Sequence, residues 1–130
     1  MYILDTNTLI YFFKDVGNVA GILLSKSPKD ISIPAIALYE LEVGIAKSTK
    51  PKKRRKQLET LISRVTVFPF GAKEAEVSAM IRAELEGKGT PIGPYDTLIA
   101  GTALSANATL VTHNTKEFMR VVGLNFEDWY

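Results

Sequence analysis

Short apolar segments alternate with longer ones along the 130-residue chain. The short segments have the length and β-branched composition of buried strands, and the longer ones have the length of helices. Predicted strands cover 2–4, 31–33, 65–68 and 109–112, and the tail LNFEDWY at 124–130 adds an edge strand. Predicted helices cover 6–14, 19–25, 34–46, 51–63, 72–86, 95–106 and 115–122. This alternation predicts an α/β protein with a mainly parallel central sheet and helices on both faces.

Proline and glycine mark several of the predicted boundaries. Pro34 and Pro51 each suit the first position of a helix, where a missing N–H costs nothing. The stretch GKGTPIGP at 87–94 contains three glycines and two prolines, so it predicts an irregular loop. No linker or internal repeat interrupts the chain, and we therefore expect residues 1–130 to form one domain.

Polar residues follow two of the predicted strands. Asp5 comes directly after the first strand, and Asn114 follows a later one by two residues. Ligands bind open parallel sheets beyond the carboxyl ends of their strands. The pattern therefore places both side chains on the expected functional edge.

Three acids have apolar sequence neighbours: Asp5, Glu40 and Asp96. Each has an ordinary structural explanation. Asp5 could cap the following helix, Asp96 could complement a helix dipole, and Glu40 could be a solvated surface acid. Because helix 34–46 has two apolar sides with Glu40 beside one and Glu42 beside the other, periodicity does not choose between the two glutamates.

The chain has no cysteine and one histidine, so an acid cluster can form only an oxygen-ligand site. Such ligands suit Mg²⁺ or Mn²⁺ rather than Zn²⁺ or copper. A divalent ion held by carboxylates polarises a phosphoryl oxygen and activates water. These residue types therefore favour phosphodiester hydrolysis.

The net charge of +2 conceals one concentrated basic segment. Seven of the ten residues at 47–56 are Lys or Arg, and outside this segment nine Lys and Arg face 14 Asp and Glu. The segment has three interpretations: a solvated helix face, a contact with the RNA backbone, or a nuclear localisation signal. The candidate RNA-binding residues within it are Lys52, Lys53, Arg54 and Arg55.

The sequence predicts a cytoplasmic protein with no membrane association. No apolar stretch approaches the roughly 18 residues that span a bilayer. The N-terminus lacks a basic region and carries Asp5 early, so it does not resemble a signal peptide. The absence of cysteine is compatible with a reducing compartment.

Several blocks resemble a known family. They are LDTNTLIYF, YELEVGIAKS, GTPIGPYDTLIAGTAL, LVTHNTKEF and EDW, in that order from residue 4 to residue 129. The chain resembles PIN-domain proteins and, more narrowly, the VapC toxins of bacterial VapBC toxin–antitoxin modules. The resemblance covers nearly the whole chain and implies a three-layer α/β/α sandwich.

The resemblance also implies a metal-dependent endoribonuclease. Its catalytic acids would be Asp5, Glu40, Asp96 and Glu117, with Asp5 and Asp96 as the metal ligands for Mg²⁺ or Mn²⁺. In the family a fourth acid usually follows the last strand, where this chain has Asn114, so either Asn114 or Glu117 completes the site. The residues expected to hold the carboxylates or a phosphate are Thr6, Asn7, Thr112 and Asn114.

The family likeness further implies an RNA substrate, a VapB-type antitoxin whose C-terminal segment covers the site, and a homodimer. The subgroup with GxPIGPxD and VTxNTxEF resembles toxins that cut tRNA, and initiator tRNA is the leading candidate. Two rival functions remain. One is a phosphatase that phosphorylates Asp5, although such enzymes carry a second Asp where this chain has Asn7. The other is a non-catalytic RNA-binding domain.

Overall fold

The computed structural model describes residues 1–130 and contains five strands and seven α-helices. The strands are β1 (Tyr2–Leu4), β2 (Ile31–Pro34), β3 (Thr66–Phe68), β4 (Thr109–Val111) and β5 (Asn125–Glu127). The helices are α1 (Thr6–Lys14), α2 (Val19–Ser25), α3 (Ala35–Ala46), α4 (Pro51–Ile62), α5 (Ala72–Gly87), α6 (Pro94–Ser105) and α7 (Thr115–Phe118). Every element that the sequence predicts is confirmed, and a short 3₁₀ turn at Pro28–Asp30 precedes β2.

Two predicted boundaries were wrong. Pro34 ends β2 instead of starting the next helix, because its backbone is extended, with φ −67° and ψ 144°. The last helix ends at Phe118 rather than at residue 122. The chain turns there so that Val121 and Leu124 enter the core, and Gly123 adopts a left-handed φ of +81° between them.

The five strands form one sheet in the order β3-β2-β1-β4-β5, and every pairing is parallel. Ile3 at the centre pairs with Ser32 on one side and with Leu110 on the other. Because parallel crossovers are right-handed, α1 to α4 cover one face and α5 to α7 cover the other. The result is the predicted three-layer α/β/α sandwich.

The core lies on both faces of the three central strands. The aliphatic side chains of these strands are fully buried, as expected for strands covered on both faces: Ile3, Leu4, Ile31, Ile33, Leu110 and Val111. The edge strands β3 and β5 are mostly exposed. Since the connections from β1 and β4 leave in opposite directions, the topological switch point lies between these two strands.

The turn between α1 and α2 anchors the C-terminal tail. Asp15 and Gly17 both have left-handed backbones, and the Tyr130 carbonyl accepts hydrogen bonds from the Asn18 backbone and side chain, each 2.9 Å long. This turn bends the chain sharply, by 99° between the two helix axes. No single helix has the length and apolar character needed to cross a membrane; only the bent pair of α1 and α2 meets those criteria, by length and composition.

Candidate active site

Four carboxylates come from different elements to the carboxyl edge of the sheet. Asp5 follows β1, and Glu117 lies on α7 directly after β4, so these two residues flank the switch point. Glu40 lies on α3, which follows β2, and Asp96 lies in the first turn of α6. The fold therefore brings all four acids that the sequence singled out as catalytic candidates to the same edge of the sheet.

Asp5 is buried and caps α1. Its side chain is 4% exposed, and its Oδ1 accepts a 2.9 Å hydrogen bond from the Thr8 backbone N–H. Burial raises the pKa of the Asp5 carboxyl, while hydrogen bonds from Thr112 and Thr8 partly oppose that rise. Asp5 therefore caps α1, as one interpretation of the sequence predicted. Only Oδ1 accepts the capping hydrogen bond, so Oδ2 takes no part in the cap.

Asp96 is half-buried, and its surroundings raise the pKa of its carboxyl group. Burial and the negative charges of Asp5, Glu117 and Glu40 raise its pKa from 3.8 to about 6. A helix N-terminus normally favours a carboxylate. Burial and the nearby charges outweigh that effect, so Asp5, Glu117 and Glu40 all lie within electrostatic reach of Asp96.

The structure distinguishes Glu40 from Glu42. Glu40 Oε1 accepts a 2.6 Å hydrogen bond from the Thr6 hydroxyl, which ties α3 to the residue next to Asp5. Glu42 instead forms an ion pair with Arg55 at the α3–α4 contact, with both side chains partly exposed. Glu40 is therefore the acid of α3 that joins the site.

Asn114 and Glu117 act as a pair rather than as alternatives. The Asn114 side-chain amide donates a 2.9 Å hydrogen bond to Glu117 Oε2. The Asn114 backbone N–H donates a 3.0 Å bond to the Thr112 hydroxyl, which in turn bonds to Asp5. The Glu117 carboxylate therefore lies at this edge of the sheet with the Asn114 amide bonded to it.

Three of the four predicted supporting residues contact a carboxylate. Thr6 bonds to Glu40, Thr112 to Asp5, and Asn114 to Glu117. Asn7 is exposed, and its side chain forms no hydrogen bond in the structure. It faces solvent at the rim of the site.

Sequence reasoning missed an aromatic pair beside the acids. Tyr39 and Tyr95 lie 5.8 Å apart between ring centroids and are 52% and 44% exposed. A hydrogen bond with Tyr39 raises the pKa of Tyr95. Each tyrosine directly precedes a candidate acid, Glu40 or Asp96, and this shared position was the available signal.

His113 also lies near the site, without contacting its acids. Its Nδ1 is 2.9 Å from Asp128 Oδ2, and its ring stacks on Tyr130 at 4.2 Å between centroids. These contacts fix the imidazole against the C-terminal tail. The geometry assigns His113 a structural contact rather than a general-base position.

The basic residues of α4 fall into different environments. Arg55 is engaged with Glu42, whereas Arg54 Nη1 donates a 3.1 Å hydrogen bond to Gln57 Oε1. Lys53 lines a groove between α1, α2 and α4, and Lys52 projects into solvent. The four candidate RNA-binding residues therefore do not form one uniform surface.

Two cavities that share lining residues lie on the α1 face. The larger, which we call the apolar groove, has a volume of about 640 Å³ and lies between α1, α2 and α4. The smaller, which we call the Lys14 pocket, has a volume of about 310 Å³, lies between α1, α3 and α4, and includes Glu40 in its wall. Phe13 and Gln57 line both cavities, so the two cavities are neighbours.

The donor set suits a hard divalent cation. All four charged groups are carboxylates, and the nearby neutral side chains offer hydroxyl and amide groups. Oxygen ligands of this kind are preferred by Mg²⁺ and Mn²⁺. In the structure no three acidic or imidazole side chains are grouped closely enough to hold a metal ion. The fit therefore rests on the chemistry of the donors.

Carboxylates at the carboxyl edge of a parallel α/β sheet suit metal-assisted hydrolysis of phosphodiester bonds. Residues 2–124 match the PIN domain. The chain therefore belongs to the PIN-domain family, in which nucleases generally depend on a divalent metal.

The relatives of this chain are VapC ribonucleases. The tRNA(fMet)-specific endonuclease VapC of Salmonella typhimurium is 39% identical, over 98% of this chain and 97% of that protein. Ribonuclease VapC2 of Rickettsia felis is 40% identical, over 99% and 98% of the two chains. The DNA-bound VapBC structure from Salmonella typhimurium superposes with a TM-score of 0.92 at 38% identity, covering 99% of this chain and 98% of that chain.

Proposed function

We propose that this protein is the toxin of a type II toxin–antitoxin system and acts as a Mg²⁺-dependent endoribonuclease on tRNA. The observation that carries the proposal is the placement of Asp5, Glu40, Asp96 and Glu117 at one edge of the sheet, where burial and the other three charges raise the pKa of Asp96. Initiator tRNA is the leading substrate, because the Salmonella relative bears the name of a tRNA(fMet)-specific endonuclease.

Asp5 and Asp96 would hold the Mg²⁺, with Mn²⁺ as an alternative occupant. The ion, when bound, supplies charge stabilisation at the scissile phosphate and lowers the pKa of water. Glu40, fixed by Thr6, would orient the attacking water by accepting a hydrogen bond from it. Glu117, held by Asn114, would contribute the fourth negative charge of the site.

We propose that a VapB-type antitoxin binds the apolar groove and covers the site with its C-terminal segment. Structures similar to this chain include VapBC complexes. Phe12, Leu23 and Leu24 supply the apolar wall of the groove. The cations at its rim are Lys26, Lys53, Lys56 and Arg64. This surface complements an amphipathic helix with an acidic polar face.

We also expect a homodimer that works in the cytoplasm. Met80 on α5 and Val122 after α7 are 66% and 67% exposed and line a shared apolar groove on the face opposite α1. Exposed apolar groups of this kind favour an interface between two copies. Light scattering after size exclusion should therefore give twice the mass of the chain.

The test of the activity is cleavage of purified tRNAs, with initiator tRNA compared with elongator tRNAs. Wild-type protein should cut initiator tRNA in Mg²⁺ and stop when EDTA is added. Asp96→Asn and Asp5→Asn should lower cleavage at least about 100-fold, because each removes a ligand charge. Glu42→Gln is the matched control, since Glu42 pairs with Arg55 outside the site.

Other results would support the rival functions. Salt-sensitive tRNA binding that persists in EDTA, without cleavage at any Mg²⁺ concentration, would indicate a non-catalytic RNA-binding domain. A phosphate trapped on Asp5 would indicate a phosphatase. Cleavage at the native rate by Asp96→Asn in Mg²⁺ would contradict the proposed mechanism.

A further inference from the structure

The Lys14 pocket combines an apolar wall with two cations directly beside Glu40. Its volume of about 310 Å³ lies at the lower end of the range of about 300–1,000 Å³ typical of ligand pockets. Lys14 and Arg54 stand on different helices, α1 and α4. The apolar lining consists of Ile10, Phe13, Leu41, Ile45 and Leu58.

Both cations lack an acidic partner. No carboxylate lies within ion-pair distance of Lys14 or Arg54, whereas the neighbouring Arg55 is paired with Glu42. Arg54 is instead held by Gln57, whose Nε2 donates a 3.4 Å hydrogen bond to the Phe13 carbonyl. The hydrogen bonds thus position the guanidinium in the pocket wall while leaving its charge uncompensated.

The composition of the pocket matches one nucleotide of an RNA strand. Unpaired Lys and Arg side chains bind phosphate, and Arg does so with fixed geometry. Apolar walls that include an aromatic ring accept the face of a base. Because Glu40 forms part of the wall, a nucleotide in the pocket would adjoin the carboxylate cluster.

We propose that the Lys14 pocket binds a nucleotide next to the cleaved phosphodiester, with its phosphate on Lys14 and Arg54 and its base against Phe13. This inference rests on the proposed ribonuclease function and names a substrate-positioning site for it. Binding there aligns the strand across the acids. Sequence preference beside the cut would follow from the fit of the base.

Gly44 provides the sharpest test because it lines the pocket and has open space around it. A Cβ at Gly44 would meet no atom within 4 Å, so Gly44→Leu fills the pocket without a clash at its first carbon. We expect the KM for initiator tRNA in Mg²⁺ to rise at least about 10-fold with kcat within about twofold, which is the signature of lost binding. Gly21→Leu on α2 is the matched control, since Gly21 is equally open and lines neither cavity.

Lys14→Gln tests the phosphate contact separately. The slope of log(kcat/KM) against log salt concentration should become shallower by about 0.7–0.9, the value expected for one lost phosphate contact. Lys29→Gln is the control, because Lys29 is an exposed lysine that precedes β2, at the amino end of the strands. An unchanged slope for Lys14→Gln, or an unchanged KM for folded Gly44→Leu, would overturn the inference.

Two further measurements separate the remaining outcomes. If Gly44→Leu loses inhibition by the antitoxin and keeps its KM for tRNA, the pocket belongs to a protein partner and the inference is wrong. If wild-type protein cleaves no RNA, the proposed function fails. Fluorescence anisotropy of labelled initiator tRNA would then measure RNA binding by the same variants. Weaker binding by Gly44→Leu and Lys14→Gln, with native binding by the control variants, would still support the pocket.

Discussion

The Thr6 hydroxyl donates a 2.6 Å hydrogen bond to Glu40 Oε1, and this contact joins the start of α1 to the middle of α3. Thr6 follows Asp5 in the chain. Asp5 thus supplies one carboxylate, and the next residue holds the carboxylate of Glu40. A glutamate side chain has three rotatable bonds, and its orientation is costly to fix without such a donor. The contact therefore explains how an acid on a helix is held at a site built on strand ends.

Replacing Thr6 should lower catalysis without unfolding the protein. Thr6→Val keeps the shape and removes the hydroxyl, so Glu40 loses its fixed orientation. We expect kcat on tRNA to fall about 10- to 100-fold, as is typical when a residue that orients a metal-site carboxylate is removed. Thr6→Ser retains the hydroxyl and should restore most of the rate. Equal losses in both variants would contradict this role.

The hydrogen bond from Asn114 to Glu117 leads to a second prediction. Asn114→Leu removes the amide that orients the fourth carboxylate. We expect the Mg²⁺ concentration for half-maximal cleavage to rise about 10-fold or more. Asn7→Ala is the control, because the Asn7 side chain is exposed and makes no hydrogen bond. A shift of the same size in Asn7→Ala would indicate that Asn114 has no special part in metal binding.

The sequence predicted the elements and three of the acids because both depend on local pattern. Buried strands are short and apolar, and an acid among apolar residues needs a partner wherever it lies. The choice between Glu40 and Glu42 could not be made in this way, since both flank apolar sides of α3. The family resemblance indicated Glu40, and the tertiary positions of Thr6 and Arg55 show why Glu42 is not at the site.

Two other uncertainties had the same origin. A proline fits both the end of a strand and the first turn of a helix. Only the pairing of β2 with β3 shows that Pro34 belongs to the strand. Asn114 and Glu117 looked like alternatives because spacing does not show a hydrogen bond between them. Long-range or side-chain contacts determine these features, and a single sequence does not contain them explicitly.

The apolar groove yields a prediction about inhibition. Leu24 lines this groove and is 72% exposed, so changing it should not disturb the core. Leu24→Glu should leave tRNA cleavage unchanged and weaken antitoxin inhibition at least about 10-fold, because a carboxylate in the apolar wall loses its solvation when the antitoxin covers it. Leu24→Met preserves volume and apolar character and should remain inhibited. Full inhibition of Leu24→Glu would exclude the groove as the antitoxin site.

Two glycines should respond oppositely to alanine. A Cβ at Gly101 would lie 1.9 Å from Ser78 Oγ and 2.9 Å from Ser78 Cα, so α5 and α6 would have to separate. We expect Gly101→Ala to lower the free energy of unfolding by about 2–3 kcal/mol. Gly44→Ala meets no atom within 4 Å and should raise it by about 0.5–1 kcal/mol through helix propensity. Urea denaturation of both variants measures the difference, and a neutral Gly101→Ala would contradict the close packing.

The carboxylate cluster should make the metal-free protein less stable as the pH rises. The Asp96 carboxyl has a pKa of about 6 when folded, against 3.8 for its ordinary value. Between these values the unfolded chain releases a proton that the folded chain retains, so rising pH favours unfolding. The loss develops from about pH 4 to pH 6 and then levels off. Partial exposure of Asp96 reduces it to about 1–2 kcal/mol.

Urea denaturation in EDTA across pH 4 to 8 tests this effect. Asp96→Asn removes the titrating group and relieves the repulsion on Asp5, so its stability should decline less over the same interval. Excess Mg²⁺ at pH 7 should stabilise the wild type, because a ligand that binds only the folded state adds stability, and should stabilise Asp96→Asn much less. Identical pH profiles for the two proteins in EDTA would show that the pKa of Asp96 is not raised in the folded protein.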